Sequence, residues 1–198
     1  MSRPPADTGA PDDRTRMRRL DRAKDDVWIR EFLRTAPFGF LATLGEDAQP
    51  YLNSNLFVFD DEERCLYLHT HRTGRTRANV DAHEKVAFSA AGIGRLLPAS
   101  QALEFSVEYA GVVVFGVGRV VEDPEEASHG LRLLLEKYAP HLEYGVDYRG
   151  TTPDELERTA VYRIDIEAWS GKQKEAPADL PGAYELPLPS IPFPRRTV

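Results

Sequence analysis

The sequence predicts a mainly β protein: one antiparallel β-barrel with flanking helices. Six short stretches alternate apolar and polar residues or are dense in β-branched and aromatic ones, and Gly-rich or acidic turns, rather than long helices, separate most of them. One stretch, Tyr109 to Val121, carries Gly116 and Gly118 inside a long apolar strand, where a barrel needs a bend or bulge. The 198 residues, 41% of them hydrophobic, suffice for one core and suggest one domain.

Taken in chain order, residues 1–22 mix prolines with charge and lack apolar spacing, which predicts a flexible N-terminal arm. Trp28, Ile29, Phe32 and Leu33 then recur at helical spacing behind Asp25 and Asp26, and Pro37 ends the run. Phe40 to Leu44 and Tyr51 to Phe59 read as a hairpin around Gly45-Glu-Asp47. After the acidic turn 60–63, Cys65 to His71 reads as a third strand with Tyr67, His69 and His71 on one face. A short helix follows over Arg75 to Ala82 and a fourth strand over Lys85 to Ala91, while 92–104 give no regular pattern. Beyond the strand 109–121, Asp123, Pro124 and Glu126 supply an N-cap, a first-turn proline and an acid for a helix that docks Leu131, Leu134, Leu135 and Tyr138. A last strand puts Tyr162, Ile164, Ile166 and Ala168 inward, ahead of Trp169. The barrel domain is therefore expected over 23–175, and a Pro-rich extension without regular structure over 176–198, with prolines at 177, 181, 187, 189, 192 and 194.

Composition excludes several function classes. Lys+Arg 25 against Asp+Glu 32 gives a net charge of −7, which repels nucleic acid and anionic membrane, so neither is an expected partner. A single cysteine, Cys65, builds neither a disulfide framework nor a Cys-based metal site and fits a reducing compartment. No apolar run approaches the ~20 residues of a membrane helix, and Met1 to Asp13 has no signal-peptide core, so a cytoplasmic protein is expected.

The richest chemistry lies between His69 and Asn79. Arg72, Arg75 and Arg77, threonine hydroxyls and Gly74 cluster where a strand hands over to a helix, and helix N-terminal amides and guanidinium forks both donate to phosphate oxygens. A solvated basic turn is the plain alternative. His69-x-His71 has the spacing of two metal ligands on a strand, but His83, His129 and His141 bring no acidic partner at a recognisable spacing, so no metal is expected. Gly92-x-Gly94 and Gly116-x-Gly118 each lack the third glycine of a dinucleotide fingerprint, with Leu97 and Val121 in its place. Asn53-Ser54-Asn55 sets three polar side chains in a strand otherwise suited to burial, either as an exposed edge or against the polar rim of a flat heterocycle. Trp169 and Lys172 offer an aromatic plate and a cation just past the last predicted strand.

In this order the pieces resemble the FMN-binding split-barrel superfamily of pyridoxamine 5'-phosphate oxidase. The matching stretches are Gly39-Phe-Leu-Ala-Thr-Leu-Gly-Glu-Asp-Ala-Gln-Pro-Tyr51, Leu66-Tyr-Leu-His-Thr-His71 through Gly74-Arg-Thr-Arg-Ala-Asn79, Val86-Ala-Phe-Ser, Tyr109 to Val121, and Trp169-x-x-Lys172. Within it, His71, the Tyr109-x-Val-Val-Val-Phe-Gly-Val-Gly strand and the length are most similar to the 5-nitroimidazole reductases of the Nim antibiotic-resistance group. The resemblance implies a six-stranded Greek-key split barrel and a homodimer with FMN in clefts between subunits. It further implies that Arg75, Thr76 and Arg77 hold the FMN phosphate, that Asn53, Ser54, Asn55, His69 and Thr70 face the isoalloxazine, and that Trp169 and Lys172 come from near the partner's side. His71 would be the catalytic residue, orienting a nitro-heterocycle or supplying a proton as 5-nitroimidazole is reduced to an amine or hydroxylamine. The alternatives are a non-catalytic flavin- or haem-binding barrel, a deazaflavin protein, and a pyridoxamine oxidase-like oxidoreductase of other specificity. Pyridoxamine oxidases proper close their site with an Arg-containing C-terminal segment, where this chain has Leu186-Pro-Leu-Pro-Ser-Ile-Pro-Phe-Pro-Arg-Arg-Thr-Val198.

Overall fold

A computed structural model describes residues 13–186. These residues form nine strands and four α-helices: β1 (Ala23–Lys24), α1 (Asp26–Thr35), β2 (Gly39–Leu44), β3 (Pro50–Asn55), β4 (Val58–Asp60), β5 (Cys65–His71), α2 (Arg75–Ala82), β6 (Lys85–Leu97), β7 (Ser106–Val120), α3 (Pro124–Tyr138), α4 (Pro153–Glu157), β8 (Thr159–Lys174) and β9 (Tyr184–Glu185). Seven strands run β3-β2-β6-β7-β8-β5-β4 in one antiparallel sheet, with β1 added to β8 and β9 to β6.

The connectivity forces that sheet to curl. Its two edge strands, β3 and β4, are consecutive in the chain and joined only by Leu56 and Phe57. Three Cα–Cα steps span at most about 11 Å, whereas the outer strands of a flat seven-stranded sheet would stand ~29 Å apart. The result is a barrel left open along one seam. Inside it Leu41, Phe57, Leu66, Phe88, Val114, Tyr162 and Ile164 are buried, and α1 closes one side with Ile29 and Leu33. A smaller core lies outside the barrel wall, where α3 covers Val58, Cys65, Tyr67 and Val161.

The helix signals hold. The Asp25 carboxylate accepts from the Trp28 N–H at 2.9 Å, and α1 ends before Pro37. Asp123 caps α3 through the Glu125 and Glu126 amides, with Pro124 in the first turn. Gly130 of α3 lies against the Tyr67 ring, where a Cβ would stand 2.8 Å from the ring carbon, so its lack of a side chain sets the helix close to the sheet. Of the four expected docking residues, Leu134 is buried and Leu131 and Tyr138 half-buried, but Leu135 is 43% exposed and faces a cleft. The ladder is irregular where a bulge in β7 was expected, but the extra residue lies on the partner strand: Phe115 pairs with Ala168 and Gly116 with Ile166, which leaves Glu167 of β8 unpaired.

Four strand expectations are corrected. The apolar run from Tyr51 to Phe59 is two strands, because the Phe57 backbone leaves the ladder and bonds a side chain: its N–H donates to the Tyr138 hydroxyl at 3.1 Å, which donates to the Phe57 carbonyl at 3.0 Å. β6 continues through Gly92 and Gly94 to Leu97, bulged between Ile93 and Leu96. β8 is longer than the expected strand at both ends, and in the Pro-rich extension β9 pairs with Arg95 and Leu96. That part of the extension is tied by Arg95, which donates to the Ala176, Pro177 and Ala178 carbonyls while bound to Glu108. The prolines at 187, 189, 192 and 194 lie outside the described residues. The described part of the N-terminal arm lies on the sheet through charge rather than apolar spacing: Arg14 pairs with Glu167 at 2.8 Å and Arg22 donates to the Tyr109 hydroxyl at 2.7 Å.

Lys137 makes the seam pH-sensitive. Its ammonium sits 3.8 Å from the centroid of the Phe57 ring and donates to the Leu33 carbonyl, and burial pulls its pKa from 10.5 to about 8. The folded chain then binds fewer protons at this site than the unfolded chain between about 8 and 10.5, so stability contributed here rises with pH across that window. Cys65 and Tyr67, both raised by burial, act in the opposite sense in alkali. The diagnostic quantity is therefore the melting temperature of the wild type minus that of Lys137→Met. It is expected to increase from pH 8 to pH 10.5; a flat difference would remove the buried charge from the seam.

Candidate functional site

The barrel opens at α2, and the predicted polar residues meet there selectively. Along β3, period-2 geometry sends Tyr51, Asn53 and Asn55 to the face shared with Leu41 and Thr43, and sends Leu52 and Ser54 to the outside. α2 lies across that mouth. The Asn53 amide donates to Thr76 Oγ1 at 3.2 Å and lies 3.5 Å from Asn55 Oδ1, while Asn55 donates to the Asn53 carbonyl at 2.9 Å. Asn79, buried one turn on, donates to Thr43 Oγ1 at 2.9 Å and fixes α2 to β2. The Arg75 guanidinium rests 4.8 Å from the Tyr51 ring centroid and makes no ion pair among the described residues.

Three features leave this end of α2 receptive to an anion. The N-cap is Gly74, which has no side chain to occupy the first amides; the first turn holds no acidic residue; and Arg75 is a guanidinium without a carboxylate. Gly74 adopts φ +150, a conformation that a side chain strains, so this residue type is what the turn requires. Thr70 faces the barrel interior and bonds the Tyr162 hydroxyl at 3.0 Å.

The structure does not bring every expected residue to this cradle. Arg77 is two positions from Arg75 on a helix, about 200° around its axis, and pairs instead with Asp81 at 2.7 Å and Glu122 at 3.3 Å. Those carboxylates raise its pKa and occupy its fork. Trp169 and Lys172 are three apart on a strand and so lie on opposite faces. Trp169 is a core pillar, 8% exposed, donating to Asp26 at 2.8 Å with Arg64 4.4 Å from its ring centroid, whereas Lys172 is exposed beside Tyr109. Ser54 is exposed on the outer face opposite Phe40.

His69 and His71 share the face of Tyr67, away from the barrel interior. His69 keeps part of its ring in solvent, and its apolar surroundings hold its pKa below the ordinary histidine value, which favours a neutral ring. His71 Nδ1 takes the Thr73 N–H at 3.2 Å and lies 3.1 Å from Thr73 Oγ1, which sets the turn into α2. His129 does have an acidic neighbour, Asp60 at 3.3 Å, brought from a distant strand that spacing alone does not reveal. Cys65 is buried and its thiol is pushed up to about 12, so it carries no thiolate chemistry near neutral pH. Tyr51, Thr43 and Asn79 were missed as site residues; Tyr51 was readable two positions before Asn53, on the same face.

On the outer surface, β2, β3, β6 and β7 present Phe40, Leu52, Ala87, Ser89 and Val113 together, bordered by Phe115, over whose ring the Arg14 guanidinium lies at 5.8 Å. Phe40 and Leu52 are 45% and 65% exposed.

A sequence model of the pyridoxamine 5'-phosphate oxidase family matches residues 25–173. No curated protein matches the chain. Among solved structures the chain is similar to the flavocytochrome Anf3 from Azotobacter vinelandii, at 21% identity over 90% of this chain and 86% of that one, with TM-score 0.74. It is similar to the FAD and heme binding protein from Mycobacterium smegmatis at 22% identity, covering 83% and 82%, with TM-score 0.67. A candidate 5-nitroimidazole antibiotic resistance protein from Bacteroides thetaiotaomicron shares 18% identity over 77% and 90%, with TM-score 0.62. At these identities the likeness shows a common fold.

Proposed function

The chain belongs to the pyridoxamine 5'-phosphate oxidase family, and on that premise we propose that it is an FMN-dependent oxidoreductase that reduces small flat nitro-heterocycles of the 5-nitroimidazole kind. The observation that carries the reading is the cradle itself: a carboxylate-free guanidinium, Arg75, beside uncapped helix amides and a row of amide and hydroxyl groups along β3. These residues fit a flavin phosphate and the polar edge of its ring system. Bound flavin would supply the two-electron chemistry.

The chain's own residues then divide the work. Arg75, Thr76 and the first amides of α2 hold the phosphate; Asn53 and Asn55, fixed by their mutual bonds, orient the polar edge; Thr70, held by the buried Tyr162 hydroxyl, stands on the inner wall. His71 sits at the exposed turn into α2 with Nδ1 held by Thr73, and its part is to meet the substrate and pass a proton rather than to hold the cofactor. The apolar outer patch formed by Phe40, Leu52 and Val113 suits a second copy of the chain, which would complete the cleft.

The experiment is an absorption spectrum and solution mass of the purified protein, followed by anaerobic reduction and addition of a 5-nitroimidazole. A flavin spectrum, a mass of two chains and reoxidation coupled to loss of the nitro absorbance are expected. A flavin that no nitro compound reoxidises would leave a storage or sensing protein, and a Soret band would move the assignment to haem. His71→Ala is expected to keep FMN while lowering nitro turnover by about 10²; equal turnover would remove His71 from the reaction.

A further inference from the structure

A cavity of about 760 Å3 opens on the other side of α2 from the cradle, between α3, α4 and the segment 139–152. Its floor is apolar, formed by Val121, Ala127, Leu131 and Leu156, and Leu135 and Tyr144 are 43% and 53% exposed on its walls. The volume is that of a small-molecule site.

The outer wall is held in one shape and is joined to α3 at Ser128. Arg149 forks onto Glu155 with bonds of 2.8 and 2.9 Å, and Thr152 and Glu155 close a capping box at α4. Ser128 Oγ lies 2.8 Å from Thr151 Oγ1, and the Tyr144 and Tyr148 rings meet edge-on at 5.7 Å. These bonds fix the shape of the wall, and the cleft it borders leaves Leu135 and Tyr144 exposed.

The charges at the rim indicate what enters. Arg77 is held by Asp81 and Glu122, Arg149 by Glu155, and Arg132 lies 3.7 Å from Glu136. Arg72 has no ion pair among the described residues, and its backbone N–H is fixed at 3.0 Å to the Arg158 carbonyl. Glu125 and Glu157, also on the rim, oppose a polyanion. We propose that this cleft is a second ligand site, distinct from the flavin cradle, for a flat aromatic molecule bearing a single anionic group: the rings lie against Leu131, Leu135 and Tyr148, and the anion meets Arg72.

The test is a fluorescence titration of the FMN-saturated, full-length protein with anilinonaphthalene sulfonate, a ligand of that chemistry. Should the protein take no FMN, the same titration is run on the protein as purified, so failure of the cradle and failure of the cleft are read separately. Saturable binding of one dye per chain is expected, weakened about tenfold or more by Arg72→Glu and by Leu135→Glu. Both residues are exposed, and melting curves confirm that each variant folds. Leu103→Glu, at a residue 96% exposed and outside the cleft lining, is expected to leave binding unchanged. Absence of saturable binding, or binding that neither cleft variant alters, overturns the site. A loss with Leu135→Glu but not with Arg72→Glu overturns its anionic specificity.

Discussion

Arg75→Ala is expected to weaken FMN binding by about 10- to 150-fold, the loss of one or two charge-assisted hydrogen bonds at ~1.5 to 3 kcal/mol in all, whereas Arg77→Ala is expected to change it by less than about threefold. The asymmetry comes from helix geometry. Both arginines follow Gly74 in a sequence that reads as one basic cluster, yet only Arg75 faces the mouth where Asn53, Thr76 and Tyr51 meet. Arg77 leaves on the far side, into Asp81 and Glu122. Calorimetric titration of the two variants with FMN decides it: equal losses would place the phosphate between both side chains and dissolve the cradle as described.

The second large effect is on stability. Phe88→Ala is expected to cost about 3 to 5 kcal/mol, which lowers the melting temperature by roughly 6 to 20 °C in a domain of this size. Phe88 is 1% exposed, and its ring centroid lies 4.6 Å from that of Phe57. Its ring occupies space left by Gly39, where a Cβ would stand 2.1 Å from the ring tip. The neighbours have little freedom to fill the void: Phe57 is bonded through its backbone to Tyr138, and β2 is paired on both edges. Thermal unfolding without added flavin measures the effect, since a ligand that binds the folded state would mask part of it. A shift below about 3 °C would mean that the barrel interior repacks freely.

Local chemistry made much of the fold legible. Asp25 and Asp123 as caps, Pro37 and Pro124 as boundaries, and alternation in Cys65–His71 all correspond to observed elements. The strand break at Leu56 and Phe57 was hidden because the run stays apolar through it and the partner that frees the backbone, Tyr138, is 81 residues away. The end of β6 was hidden by Gly92 and Gly94, which weaken local strand propensity but are carried by pairing to β7. Helix α4 was open to detection: Thr152-Pro-x-Glu155 spells a capping box, and the box forms.

At the site, clustering in sequence suggested more convergence than geometry allows. Residues 75 and 77 on a helix, and 169 and 172 on a strand, cannot share a face, and that constraint was present in the spacing itself. Trp169 reads as a free aromatic plate only while Asp26, Arg30 and Arg64, which surround it, are unknown. The cleft beside α3 has no sequence signature, because Arg72, Leu135 and Tyr148 come together only through the tertiary fold.

If Arg75 and the first turn of α2 hold a phosphate, the protein distinguishes flavins by that group. Parallel titrations of the wild-type protein with FMN and with riboflavin, which differ only in that group, test it most directly. FMN is expected to bind at one per chain and riboflavin about 100-fold or more weaker; equal affinity for the two would leave the phosphate no part in binding.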